Sequence, residues 1–83
     1  MAKKRDSVTY RLKKGRATVY IGTTNDPERR ADEHREEGKR FSGMQITSRR
    51  MTEVGAEQKE AEQLKNYRSN HGKNPQYNKD ADG

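Results

Sequence analysis

The chain has no cysteine and no tryptophan, only two prolines and a single phenylalanine. Without cysteine, disulfides and thiolate metal sites are excluded, and secretion gains no support. No apolar run approaches the ~18 residues that a membrane span requires. The opening MAKKRDS is basic and has no apolar stretch behind it, so it does not read as a secretory signal. The expectation is a soluble, cytoplasmic or otherwise intracellular protein with no membrane partner. Apolar residues are scarce too: 25% of the chain is hydrophobic against 39% charged. Low hydropathy with net charge is a signature of disorder. Here, however, the apolar residues fall in patterned stretches. With 83 residues one small domain is expected, burying roughly 60–65% of its unfolded surface.

The charge is unevenly placed. The formal net charge is +6, and residues 1–50 hold 14 Lys and Arg against 7 Asp and Glu, whereas residues 51–83 are nearly balanced. A basic excess in one part of a small domain points to a polyanionic partner, nucleic acid above all.

Local patterns predict an α+β fold in the order β-β-α-β-α, a three-stranded antiparallel sheet flanked by helices, with a C-terminal loop or short element. SVTYRL alternates, with Val8, Tyr10 and Leu12 on one side and Thr9 and Arg11 on the other. ATVYIG is β-branched and aromatic, and with the glycine of KKGR before it the two stretches read as a hairpin. NDPERRADEHREEG supplies an N-cap in Asp26, proline at the first helical position, Glu28 in the first turn and Gly38 for the C-terminal cap. A helix from about Pro27 to Glu37 follows, with Arg30 and His34 four apart on one face. MQITSRRM suggests a third strand. TEVGAEQKEAEQLKNYR suggests a second helix with an apolar stripe of Val54, Ala61, Leu64 and Tyr67. SNHGKNPQYN reads as loop. The domain is expected over 8–78, with a basic flexible segment at 1–7 and a frayed tail at 79–83.

Tyr10, the YIG of Tyr20 to Gly22, Arg30, His34, Glu60 and Asn78 follow one another in an order that resembles the GIY-YIG nuclease family. The resemblance runs from about residue 8 to 78. Val8-Thr9-Tyr10 stands where the family has Gly-Ile-Tyr, and the stretch between Glu60 and Asn78 is longer than usual. Glu57 and Glu62 compete with Glu60, which is preferred because Leu64 and Lys65 follow it at the family's offsets. Taken singly, each of these residues has a plain structural role; it is their combination in order that points to function.

The resemblance implies a divalent-metal-dependent endonuclease hydrolysing DNA phosphodiester bonds, of the kind used in DNA repair or recombination. Glu60 would hold Mg²⁺ or Mn²⁺, with waters retained on the ion. Arg30 would fork onto phosphate oxygens. Tyr10 would be the base or water-orienting group, with His34 its hydrogen-bond or relay partner. Tyr20 would position the water or the phosphate, and Asn78 would brace the site. Lys13, Lys14, Arg16, Arg29, Lys39 and Arg40 are candidate contacts to the DNA backbone. Family domains usually cut with an appended DNA-binding region, and none is read here. Structure-dependent or weakly specific cutting, or a protein partner supplying specificity, is therefore expected. The altered first motif supports an alternative, a catalytically weak or inactive nucleic-acid-binding module of the same fold.

The two tyrosines set a geometric requirement. A two-residue turn at Lys14-Gly15 would send their rings to opposite faces of the hairpin. A three-residue loop, Lys14-Gly15-Arg16, or an equivalent bulge, is expected to bring them to one face.

Overall fold

A computed structural model of the chain describes residues 6–78; the expectations for residues 1–5 and 79–83 lie outside the described residues. Strand β1 (Val8–Lys14) and strand β2 (Ala17–Thr24) form the hairpin, followed by helix α1 (Pro27–Glu36), strand β3 (Gly43–Ile46), helix α2 (Glu53–His71) and a single 3-10 turn (Gln76–Asn78). The sheet is antiparallel with β1 in the centre, in the order β2-β1-β3. The α+β arrangement predicted from the patterns is the one observed.

The hairpin differs from the expected loop in a way that matters. Lys14 pairs with Ala17, so the turn is the two-residue Gly15-Arg16. Gly15 has φ +62° and Arg16 is not in the left-handed region, the pattern of a type II′ turn. The register then shifts between Leu12 and Lys13: Lys13 pairs with Thr18 but Leu12 pairs with Tyr20. Val19 is the extra residue of a β-bulge. Tyr10 therefore pairs with Gly22, not with Tyr20 as the three-residue loop would have it. A bulge of the equivalent kind nevertheless places both rings on one face, because an unbulged ladder would have put Tyr20 opposite Arg11.

That face carries the core. Tyr10, Leu12 and Val19 are buried together, with Tyr20, Phe41, Met44 and Tyr77 packed against them. Helix α1 lies on this side and contributes one buried side chain, His34. Its ends follow the sequence closely. The Asp26 side chain accepts from the backbone N–H of Arg29, Pro27 opens the first turn, and Gly38 follows with φ +89°.

Helix α2 belongs to the other face of β1. The Gln63 amide donates to Thr9 Oγ1 and Thr47 Oγ1, and Thr9 alternates with Tyr10. The apolar stripe expected on α2 is corrected by the burial. Val54 is 49% exposed and Ala61 is exposed, whereas Ala56 and Leu64 are buried and Glu60, Gln63 and Tyr67 are partly so. The inward face thus runs 56, 60, 63, 64, 67, a helical spacing that includes two polar residues. The helix also continues through Ser69–His71, expected as loop. It stops at Gly72, whose φ of +76° lets its N–H reach the Arg68 carbonyl.

Strand β3 is shorter than the MQITSRRM stretch. Past Ile46 the Thr47 N–H still donates to the Thr9 carbonyl, but the Thr9 N–H is taken by the Ser48 hydroxyl instead of a strand carbonyl, and the next bridge is an isolated one between Ser7 and Met51. Ser7, expected in the flexible segment, is buried and joined to the domain by that bridge. No helix among the described residues is long and apolar enough to cross a membrane.

The burial pattern yields a direct comparison. Leu64→Ala is expected to cost about 2–4 kcal/mol, whereas Val54→Ala should stay within about 0.5 kcal/mol, as read by urea denaturation. Equal losses would place both residues on the same side of α2.

Candidate functional site

The bulge sets Tyr20 diagonally across the hairpin from Tyr10, with ring centroids 6.0 Å apart. His34 closes the cluster from α1. Its ring lies 5.9 Å from Tyr10 and 4.7 Å from Tyr20, and Nε2 stands 2.6 Å from the Tyr10 hydroxyl. Tyr10 is completely buried and His34 is 1% exposed, whereas Tyr20 is only partly covered.

The floor beneath the rings is Gly22. A methyl group there would stand 2.7 Å from the Tyr10 hydroxyl oxygen and 2.7 Å from Tyr20 Cε2. The glycine of YIG is therefore required by space, since its φ is not in the left-handed region.

His34 Nδ1 faces the Glu37 carboxylate at 3.4 Å, too long for a well-formed hydrogen bond, and it is the one buried side-chain nitrogen or oxygen left without such a partner among the described residues. A proton on Nδ1 is favoured by that carboxylate, which leaves Nε2 to accept from the Tyr10 hydroxyl. The chain Tyr10, His34, Glu37 is thus a phenol, an imidazole and a carboxylate in sequence. Glu37 was not singled out from the sequence, although its position three residues after His34 on one helical face was the available sign. Lys39 holds Glu37 at 2.7 Å and places its ammonium 5.5 Å from the Tyr20 ring centre.

Burial dominates the electrostatics. It raises the Tyr10 pKa, and Tyr20 and Glu60 add to the rise while the Arg30 guanidinium opposes it. Burial also lowers the His34 pKa, helped by the charges of Lys39 and Arg30 and opposed by Glu37. Both groups of the hydrogen bond therefore rest neutral. Burial works against the charge of Arg30, but its contact with Glu33 at 3.1 Å and the phenols together outweigh that and hold it firmly protonated. It lines an open groove of about 750 Å³ with Arg29, Thr23, Thr24 and Asn25.

Glu60 reaches the cluster only through space. Its charge is felt at Tyr10, but among the described residues no hydrogen bond or ion pair joins its carboxylate to any side chain. Partial burial and the neighbouring Glu57 raise its pKa, so a cation beside it would relieve an unfavourable charge. Among the described residues no group of three or more His, Asp and Glu side chains forms a metal cage. Magnesium is commonly held by one or two carboxylates with waters and substrate phosphates, so a single carboxylate fits the ion in that manner.

Asn78 braces the hairpin. Its Oδ1 accepts from the Ile21 N–H at 2.7 Å and its Nδ2 donates to the Ile21 carbonyl at 3.0 Å, which satisfies the outer edge of β2 between Tyr20 and Gly22. The long stretch before it is spanned by the extension of α2 and by the buried Pro75.

The candidate nucleic-acid contacts divide. Arg29 borders the groove and Lys39 stands by Tyr20, while the exposed Arg40 presents its backbone N–H to the Tyr77 hydroxyl. Lys13, Lys14 and Arg16 sit at the hairpin turn, and Lys13 folds back onto the Arg16 carbonyl. No family model matches the chain, and neither curated proteins nor solved structures give a match to it.

Two measurements test this geometry. Gly22→Ala should displace both rings, costing about 1–3 kcal/mol as overpacking does and changing the near-ultraviolet circular dichroism. An unchanged spectrum and stability would mean the rings lie elsewhere. Because the His34 pKa is lowered on folding, the unfolded chain binds the extra proton, and stability must fall as pH drops through about 6.5. Melts between pH 7.5 and 6 should show this decline, and His34→Gln should remove it.

Proposed function

We propose that this chain is a divalent-metal-dependent endonuclease of the GIY-YIG type, hydrolysing DNA phosphodiester bonds with structure-dependent or weak sequence preference. The observation that carries the reading is the 2.6 Å bond between the Tyr10 hydroxyl and His34 Nε2, with Arg30 and Tyr20 gathered round it. That set meets the needs of phosphodiester hydrolysis: a proton acceptor, a fixed cation for the phosphate and a hydroxyl to hold water.

In this reading Arg30 clamps the phosphate oxygens at the groove, and Tyr20, the less buried phenol, holds the attacking water. As the water oxygen bonds to phosphorus and the bond to the leaving oxygen breaks, the proton shed by water passes through the Tyr10 phenol to His34. Glu37 stabilises the imidazolium that results. A divalent ion, Mg²⁺ or Mn²⁺, would be held by Glu60 and would supply a lowered water pKa and neutralisation of phosphate charge. Asn78 and Gly22 act by positioning. The absence of cysteine accords with an intracellular site of action, and a protein partner supplying specificity belongs to the same proposal.

Complete burial of Tyr10 and His34 favours a second reading, a nucleic-acid-binding domain of this fold that does not cut. The two separate on a panel of labelled duplex, flap, branched and single-stranded DNAs, each with Mg²⁺ or Mn²⁺ beside EDTA controls. The nuclease reading expects metal-dependent nicking that is abolished in folded Glu60→Ala. It also expects a fall of roughly 10²-fold or more in Tyr10→Phe, the scale of a lost proton-transfer group. Salt-sensitive binding with no product on any substrate would sink it.

A further inference from the structure

On the face of the hairpin away from the tyrosines lies a second groove, of about 560 Å³, between the strands and the C-terminal half of α2. Arg11 and Lys13 alternate with Tyr10 and Leu12 and so project from the opposite side of β1. Together with Arg16 at the turn they line this groove, and among the described residues no carboxylate does. Among the described residues none of the three forms an ion pair. Three cations without counter-charge mark a surface built for anions rather than a balanced solvated face.

The far wall is aromatic. Tyr67 and His71, one turn apart on α2, are stacked with ring centroids 4.0 Å apart and planes 13° from parallel. Both rings are tied down. The Tyr67 hydroxyl donates to the Thr18 carbonyl at 3.3 Å, and His71 Nδ1 donates to the Tyr67 carbonyl at 3.1 Å. His71 is exposed, so the stack ends in an open π-face. Asn66 and Asn70 line the same groove, offering donors and acceptors to base edges.

A fixed aromatic platform facing a run of unpaired cations is the arrangement that holds single strands, whose bases stack while the backbone follows the charge. Duplexes bury their base faces and gain nothing from the platform. We infer that the groove bounded by Arg11, Lys13, Arg16 and the Tyr67–His71 stack is a binding site for single-stranded nucleic acid. It lies on the opposite side of the sheet from the Tyr10–His34 cluster. It requires no metal and no cleavage, and so goes beyond the function proposed above.

The test is fluorescence anisotropy in EDTA with labelled oligothymidylate and oligouridylate of about 12 nucleotides, within the usual site sizes of such grooves, and a duplex of equal length. Single strands should bind more tightly than the duplex, and the two arms distinguish a DNA from an RNA preference. His71→Ala should weaken single-strand binding about fivefold or more, the scale of one lost stacking contact. The combined Arg11→Gln, Lys13→Gln, Arg16→Gln variant should lower the slope of log K against log salt by about 2, at ~0.7 per phosphate contact. On the unaltered protein, amide resonances of Arg11, Asn66 and His71 should shift on titration with either strand. Failure to bind either strand, equal affinity for the duplex, or shifts confined to Tyr20, Arg29 and Arg30 would overturn the inference. So would unchanged affinity in the folded variants.

Discussion

One extra residue in one strand organises this protein. Side chains alternate along a strand, so the whole of β2 beyond Val19 owes its facing to the bulge there. Remove that residue from the count and Tyr20 joins Arg11 on the α2 face while Ile21 takes its place beside Tyr10. The core would then hold a bare aliphatic side chain under α1, and His34 would lose the nearer of the two rings it packs against. The close approach of Gly22 to both phenols would also vanish, since Gly22 lies opposite Tyr10 only in the bulged register. A single local irregularity thus decides which residues meet, and the outer edge of β2 is secured just there by Asn78.

The sheet separates two environments of different character. On the α1 side a buried polar pair sits inside an aromatic and aliphatic core. On the α2 side the contact is largely polar, a network of Thr9, Thr47 and Gln63 around the aliphatic anchors Ala56 and Leu64. This division explains how so apolar-poor a chain can build two layers. Hydroxyl and amide groups that find partners within the fold occupy interior positions that a larger domain would give to leucine. The arrangement carries a constraint, because each member of such a network depends on the others for its hydrogen bonds.

Much of the fold was legible in the sequence because local chemistry agreed with the tertiary outcome. Asp26-Pro27 and Gly38 bracket α1 with residues whose capping roles are independent of packing. Val8, Tyr10 and Leu12 are all buried as their pattern suggests, but Thr9 between them is buried as well, because α2 covers the other face of β1. The stripe on α2 was misread because its inward face uses Glu60 and Gln63, which no hydrophobic pattern marks. The third strand was overextended because Ser48 substitutes a hydroxyl for a backbone group, an exchange invisible in composition. For the candidate site, the sequence named residues whose side chains do converge: Tyr10, Tyr20, His34 and Arg30. It could not show that Tyr10 is sealed from solvent or that Glu37 stands behind His34, since both depend on the packing of α1 onto the hairpin. The bulge itself was anticipated as a requirement of the tyrosines, while its position at Val19 was fixed by the two-residue turn.

Helix α1 has a single buried side chain, and that side chain is a histidine. Most helices are held to their domain by several aliphatic residues, so that detaching one exposes much apolar surface and is tantamount to global unfolding. Here the apolar surface at stake is small. Segments of this kind open as cooperative units well below the free energy of complete unfolding. The motion that lifts α1 from the sheet is also the motion that bares the Tyr10 hydroxyl. Access to the deepest group of the site and the local stability of one helix are therefore the same thermodynamic quantity.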